Sequence, residues 1–153
     1  MQKLHFSVKI NASAEIVWNT MLNAETYKDW TSVFNEGGSI VKGDWQKGSK
    51  MLFIGPDPET GEEGGMVSRI AENIPYKFIS IEHIGIYNNG VEDTTSEEAK
   101  KWAPAFENYT FNEENGVTEV QVDLDMMDEY VDMFSEMWPK SLERLKELAE
   151  EQA

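Results

Sequence analysis

Leu4-His5-Phe6-Ser7-Val8-Lys9-Ile10-Asn11-Ala12-Ser13-Ala14-Glu15-Ile16-Val17-Trp18 decides the fold, because its hydrophobic period changes from two to about 3.6 within a few residues. Leu4, Phe6, Val8 and Ile10 alternate with His5, Ser7 and Lys9, the pattern of a strand with one buried face. Asn11-Ala12-Ser13 then opens a helix whose Ala14, Val17, Trp18 and Met21 share one side. The far end of the chain answers it with a long helix from Asp128, its expected N-cap, to about Glu150. Tyr130, Phe134, Trp138, Leu142 and Leu145 form its apolar stripe, flanked by Met127, Met137 and Leu148. Pro139 removes an amide donor inside that stripe, so a kink or restart is expected there.

Strand-like segments fill the middle. A second short helix covers Glu25 to Trp30, and strands are expected over 36–41, 50–54, 66–71, 77–86, 106–111 and 117–124. The Pro- and Gly-dense stretch from Gly55 to Gly65 reads as an exposed hairpin loop, and Asn115-Gly116 as the tight turn of the last hairpin. Residues 88–101 form an acidic linker with one helical turn over 96–101. This order, strand, two short helices, six strands and a long helix, predicts an α+β fold with a curved antiparallel sheet wrapped around the C-terminal helix, as a single domain over 1–153.

Composition narrows the function classes. The 153 residues contain no cysteine, which excludes disulfides, thiolate nucleophiles and Cys-containing zinc sites. Thirteen basic against 29 acidic residues give a net charge of −16, so nucleic-acid phosphates and anionic lipid surfaces are repelled. No basic leader precedes an apolar run and no stretch approaches the length of a membrane span, which predicts a cytoplasmic protein without membrane insertion. Asp123, Asp125, Asp128, Glu129 and Asp132 lack the glycine and terminal glutamate spacing of a calcium loop. With His5 on the outward face, one imidazole remains and no metal site is expected.

His83 is that remaining imidazole. It shares a strand face with Ile79 and Ile81, while Ser80, Glu82 and Ile84 take the other face. Glu107, Tyr109 and Phe111 alternate on a neighbouring strand, so His83, Glu107 and Tyr109 are the one group that proton-transfer chemistry would use. The structural alternative is a core or rim histidine with a hydrogen-bond partner. Aromatic and methionine side chains concentrate where a sheet closing on a helix leaves space. Trp30, Phe34, Phe53, Met66, His83, Tyr87, Trp102, Tyr109, Met127, Tyr130, Phe134 and Trp138 are the expected ligand-binding residues, with Tyr87 and Trp102 flanking the linker as a lid. Ordinary core filling is the competing account of the same set.

The chain resembles the START-like or SRPBCC superfamily, the helix-grip fold shared with the birch-pollen allergen. Within it, the sequence is most similar to the family of the C-terminal domain of the activator of the heat-shock-protein-90 ATPase. The resemblance rests on Ile10 to Trp18 with Tyr27 and Trp30 downstream, Gly43-Asp44-Trp45-Gln46-Lys47-Gly48 followed by Phe53, and Gly65-Met66-Val67 leading to Pro75. Tyr109-Thr110-Phe111 with Asn115-Gly116-Val117-Thr118, and Trp138 with Leu142 and Leu145, complete it. The resemblance implies a small hydrophobic ligand of lipid, polyketide or aromatic type, held between sheet and last helix without a cofactor. It also implies two alternatives: a co-chaperone-like protein-interaction module with a chaperone or other protein partner, and an enzyme of cyclase or dehydratase kind. Against the co-chaperone alternative stands the expectation that no chaperone-binding N-terminal half accompanies this domain. A monomer is expected, with a homodimer as the alternative.

Overall fold

The computed structural model describes residues 1–153. The first strand, β1 (Gln2–Ile10), delivers the chain to α1 (Ala14–Leu22), where the Ser13 hydroxyl caps the helix by accepting the Ile16 amide at 3.2 Å. Asn23 interrupts the helical run. Its extended backbone ends α1, and its side chain accepts the Glu25 amide at 2.9 Å to start α2 (Ala24–Trp30). Strands β2 (Ile40–Lys42), β3 (Lys50–Pro56), β4 (Glu63–Ile74), β5 (Phe78–Asn88) and β6 (Val91–Asp93) follow, then α3 (Glu97–Trp102). The chain closes with β7 (Ala105–Glu114), β8 (Val117–Met126) and α4 (Val131–Glu151).

All strand pairs are antiparallel, in the order β1-β8-β7-β5-β4-β3-β2, with β6 paired to β5 off that path. This is the expected curved sheet gripping a C-terminal helix. Ile10, Val17, Ile79, Val120, Leu142 and Leu145 meet in one core with essentially no exposure, so α4 lies across the concave face and α1 closes one end. Trp138 stacks on Phe6 with centroids 6.1 Å apart, and the buried Ser141 hydroxyl donates to the Trp30 carbonyl at 2.7 Å, tying α4 to α2. Arg144 grips Asp29 through two hydrogen bonds of 2.7 and 2.9 Å on the same side.

Several local expectations are corrected. The strand expected over 36–41 shrinks to Ile40–Lys42, because Gly37 and Gly38 take φ of 87° and 82° in a turn. The loop expected over 55–65 is shorter: Gly55, Pro56, Gly64 and Gly65 all join the β3–β4 ladder. Pro56 occupies the last position of its strand, where a missing amide costs least, and a Cβ at Gly65 would lie 1.9 Å from the Phe53 carbonyl oxygen. Asp128 is not the N-cap of the long helix; it begins a 3-10 turn, Asp128–Tyr130, that leads into α4. The helix passes through Pro139 without restarting, since Pro139 and Ser135 both face solvent and water can satisfy the carbonyl left without a donor. The linker contains β6, and Ser96 caps its one helix by accepting the Ala99 amide at 3.1 Å.

Candidate functional site: an aromatic cavity with an acidic polar end

The concave face is not completely filled. Between the sheet, α2 and the N-terminal half of α4 lies a cavity of about 230 Å³ lined by 18 residues, 13 of them hydrophobic. Trp30 and Thr31 come from the end of α2, Phe34 and Ser39 from the connection beyond it, and Phe53 and Met66 from β3 and β4. His83, Glu107 and Leu124 come from β5, β7 and β8, and Phe134 and Trp138 from the first two turns of α4. Phe34 lies 4.9 Å from Trp138 and 5.8 Å from Phe134, centroid to centroid, so these three rings form one wall. Trp102, at the end of α3, stacks on Tyr130 at 5.5 Å and 21°, which places this pair beside Met127 at another side of the cavity.

One end of the cavity is polar. His83 Nε2 lies 3.2 Å from Glu107 Oε1, and the Tyr109 hydroxyl donates to Glu107 Oε2. A carboxylate can only accept, so Nε2 carries a proton; Nδ1 shares a hydrogen bond of 2.7 Å with the Ser68 hydroxyl. Both nitrogens of His83 are thereby engaged. Each Glu107 oxygen keeps a free lone pair, and its side chain remains 22% exposed. Burial, and secondarily the Glu107 charge, push the Tyr109 phenol well above its usual range. Tyr27 is raised in the same way, by burial first and Glu107 second. Unlike Tyr109, the buried Tyr27 has no hydrogen-bond partner in the protein for its hydroxyl, although it lines the cavity.

Of the twelve residues expected at the site, nine line this cavity: Trp30, Phe34, Phe53, Met66, His83, Trp102, Met127, Phe134 and Trp138. Tyr109 stands behind Glu107, and Tyr130 behind Trp102. Tyr87 is elsewhere. Val67 pairs with Gly85 but Ser68 pairs with His83, so a bulge at Ile84 reverses the alternation of β5. Tyr87 therefore packs with Ile54 and Val67 in a separate cluster and donates to Glu63 at 3.3 Å. His5 is exposed and bonded to Asp123, as the outward face requires. Sequence reasoning missed several members of the site, among them two that the polar end depends on. Ser68 was recognisable as a hydroxyl two residues from Met66 on the inward face of β4, and Tyr27 as the aromatic one helical turn before Trp30.

No group of three or more His, Asp or Glu residues could hold a metal ion, and no helix is long and apolar enough to cross a membrane. The whole chain aligns with solved structures of the same fold. Protein NE0264 from Nitrosomonas europaea superposes with a TM-score of 0.75 at 15% identity, covering 98% of this chain and 95% of that one. A Cytophaga hutchinsonii protein solved in solution gives 0.71 at 19% identity, with 99% and 96% covered. The Aha1 dimer from Colwellia psychrerythraea gives 0.68 at 16% identity, with 98% and 97% covered. No curated protein matches the chain. The family described as Activator of Hsp90 ATPase homolog 1-like protein matches residues 11–150, from the α1 cap to the last turn of α4, and with its helix-grip fold the chain belongs to that family.

Proposed function

We propose that the protein is a cytoplasmic, monomeric binding protein whose whole chain acts as one unit, holding a small hydrophobic ligand of lipid, polyketide or aromatic type between the sheet and α4. The observation that carries this reading is the unfilled apolar cavity itself. Protein interiors pack to crystal-like density, and an open space of about 230 Å³ beside a core with fully buried Trp30 and Leu142 forfeits packing energy. A ligand that enters recovers those contacts. Trp30, Phe34, Phe53, Met66, Met127, Phe134 and Trp138 would form its apolar contacts, Trp102 with Tyr130 would flank it, and His83 would hold Glu107 in place.

A second reading follows from the family description: a co-chaperone-like module that acts by contact with a chaperone. It predicts that the cavity is dispensable. Proton-transfer chemistry by His83, Glu107 and Tyr109 is the remaining alternative, and it predicts that a bound molecule is converted rather than returned intact.

Titration with an apolar fluorescent probe tests the proposal. Saturable one-to-one binding in the micromolar range, about −8 kcal/mol, is expected. Trp102→Ala should weaken it without a matching loss of melting temperature. Absence of binding in the parent protein, together with retained chaperone contact, would favour the second reading.

A further inference from the structure

Of the eighteen residues around the cavity, none is a lysine or arginine; the acidic ones are Glu107 and Asp125, and the N-terminal ammonium of Met1, also at the lining, is already paired with Asp128 at 3.3 Å. These two carboxylates differ in what balances them. Asp125 Oδ1 is paired with Lys3 at 3.1 Å, and its Oδ2 accepts the Phe106 amide at 2.9 Å. Glu107 has no lysine or arginine; its partners are the His83 ring and the Tyr109 hydroxyl. An ionised carboxylate largely withdrawn from water without a lysine or arginine is costly to a folded chain, and a binding partner that supplies the missing charge removes that cost. A second observation points to the same spot. Tyr27 is more than nine-tenths buried and lines the cavity, and its hydroxyl has no partner in the protein, while Glu107 is the nearby charge that disfavours its ionisation. The polar end therefore offers the lone pairs of Glu107 and an unsatisfied phenol oxygen, both able to accept. The remaining walls are largely aromatic, Trp30, Trp138 and neighbouring rings, and aromatic π-systems attract cations and disfavour anions.

Resting on the proposed binding role, we infer that the ligand is a cationic amine: an aromatic or alicyclic body carrying an ammonium group that donates to Glu107 and to the Tyr27 oxygen. Fatty acids and other carboxylates are the wrong charge for this end of the cavity. A neutral hydrocarbon of the same shape satisfies the walls but leaves Glu107 unbalanced and the Tyr27 hydroxyl unpaired.

A matched set of ligands reads this out by isothermal titration on the full chain: 2-phenylethylamine, propylbenzene and 3-phenylpropanoate. The expected order is the amine tightest, propylbenzene weaker by about tenfold, and the carboxylate weakest, on the scale of one charge-assisted hydrogen bond in a partly dry site. Glu107→Gln should erase the advantage of the amine over propylbenzene, and retained propylbenzene binding reports that the cavity is intact. Tyr27→Phe should lower amine affinity several-fold with little effect on propylbenzene. Equal affinities for amine and propylbenzene in the parent, tighter binding of the carboxylate, or an amine preference that survives Glu107→Gln would overturn the inference while leaving a hydrophobic-ligand role standing. Failure of all three ligands, and of apolar probes with them, would overturn both.

Discussion

Phe134→Ala and Leu145→Ala lie on the same helix, three turns apart, and the structure predicts opposite consequences for them. Leu145 has no exposed surface and packs in the main core, so its truncation leaves a hole among atoms that cannot close in. A cost of about 3 kcal/mol is expected, lowering the melting temperature by about 6–12 °C in a chain of this size. Phe134 is half-buried, borders the cavity, and makes a stacked pair with Phe34 at 5.8 Å. Its ring already lacks packing partners on the cavity side. The lost pair is worth about 1 kcal/mol, a fall of about 2–4 °C. For an aromatic probe the ranking reverses: Phe134→Ala removes part of the wall and should weaken binding about tenfold, the equivalent of about 1.4 kcal/mol. Leu145→Ala should leave affinity within about twofold while the protein stays folded. Differential scanning calorimetry and fluorescence titration on the same preparations provide both numbers. Equal destabilisation by the two substitutions, with probe affinity untouched by either, would refute the division of α4 into a core half and a cavity half.

Ser141→Ala should cost about 1–2 kcal/mol in chemical denaturation, since it strands the buried Trp30 carbonyl that accepts its hydroxyl proton at 2.7 Å; an unchanged midpoint would show that water replaces the bond. The hydrogen bond from Arg144 holds the Asp29 carboxyl below its ordinary range, so the pair stabilises the fold above the unfolded carboxylate pKa and loses that contribution as pH falls through the lowered folded value. Because both side chains are more than a third exposed, Asp29→Asn should cost under about 1 kcal/mol at pH 7, and the melting curves of parent and variant should converge as the pH falls through the lowered carboxyl pKa; a constant gap would contradict the assignment. His83→Gln should change ligand affinity or stability by about 1–3 kcal/mol through the lost Ser68 and Glu107 bonds. A ligand chemically converted by the parent but returned intact by this variant would establish proton transfer instead.

The sheet, the grip of the final helix and most of the cavity wall were legible in the sequence because they depend on period. Alternation from Leu4 to Ile10 and the helical spacing of Phe134, Trp138, Leu142 and Leu145 each mark a buried side without reference to anything distant. Tyr87 shows where period fails. Counting by twos from His83 puts it inward, but the one-residue bulge at Ile84 turns it outward, and nothing in Ile84-Gly85-Ile86 marks the bulge except a glycine. Where Gly85 sits, a Cβ would come within 2.3 Å of the Asp93 carbonyl oxygen, so the glycine is needed for a contact with a segment eight residues on. Ser68 and Tyr27 were missed for a related reason. Each matters through a partner on a different element, His83 on β5 and the cavity bounded by β7 and α4, and such pairings exist only after the chain has folded.

The fold alone does not separate a ligand carrier from a co-chaperone module, since one scaffold can host either role. What distinguishes them is whether the space under Phe34, Phe134 and Trp138 is occupied when the protein does its work. Native mass spectrometry of the protein purified gently from its own host measures that directly. The ligand-binding account predicts a population heavier than the bare chain by one small molecule, released on denaturation. It further predicts that the released molecule carries an amine. A single peak at the mass of the bare polypeptide, from protein that also fails to take up an apolar probe, would contradict the central claim.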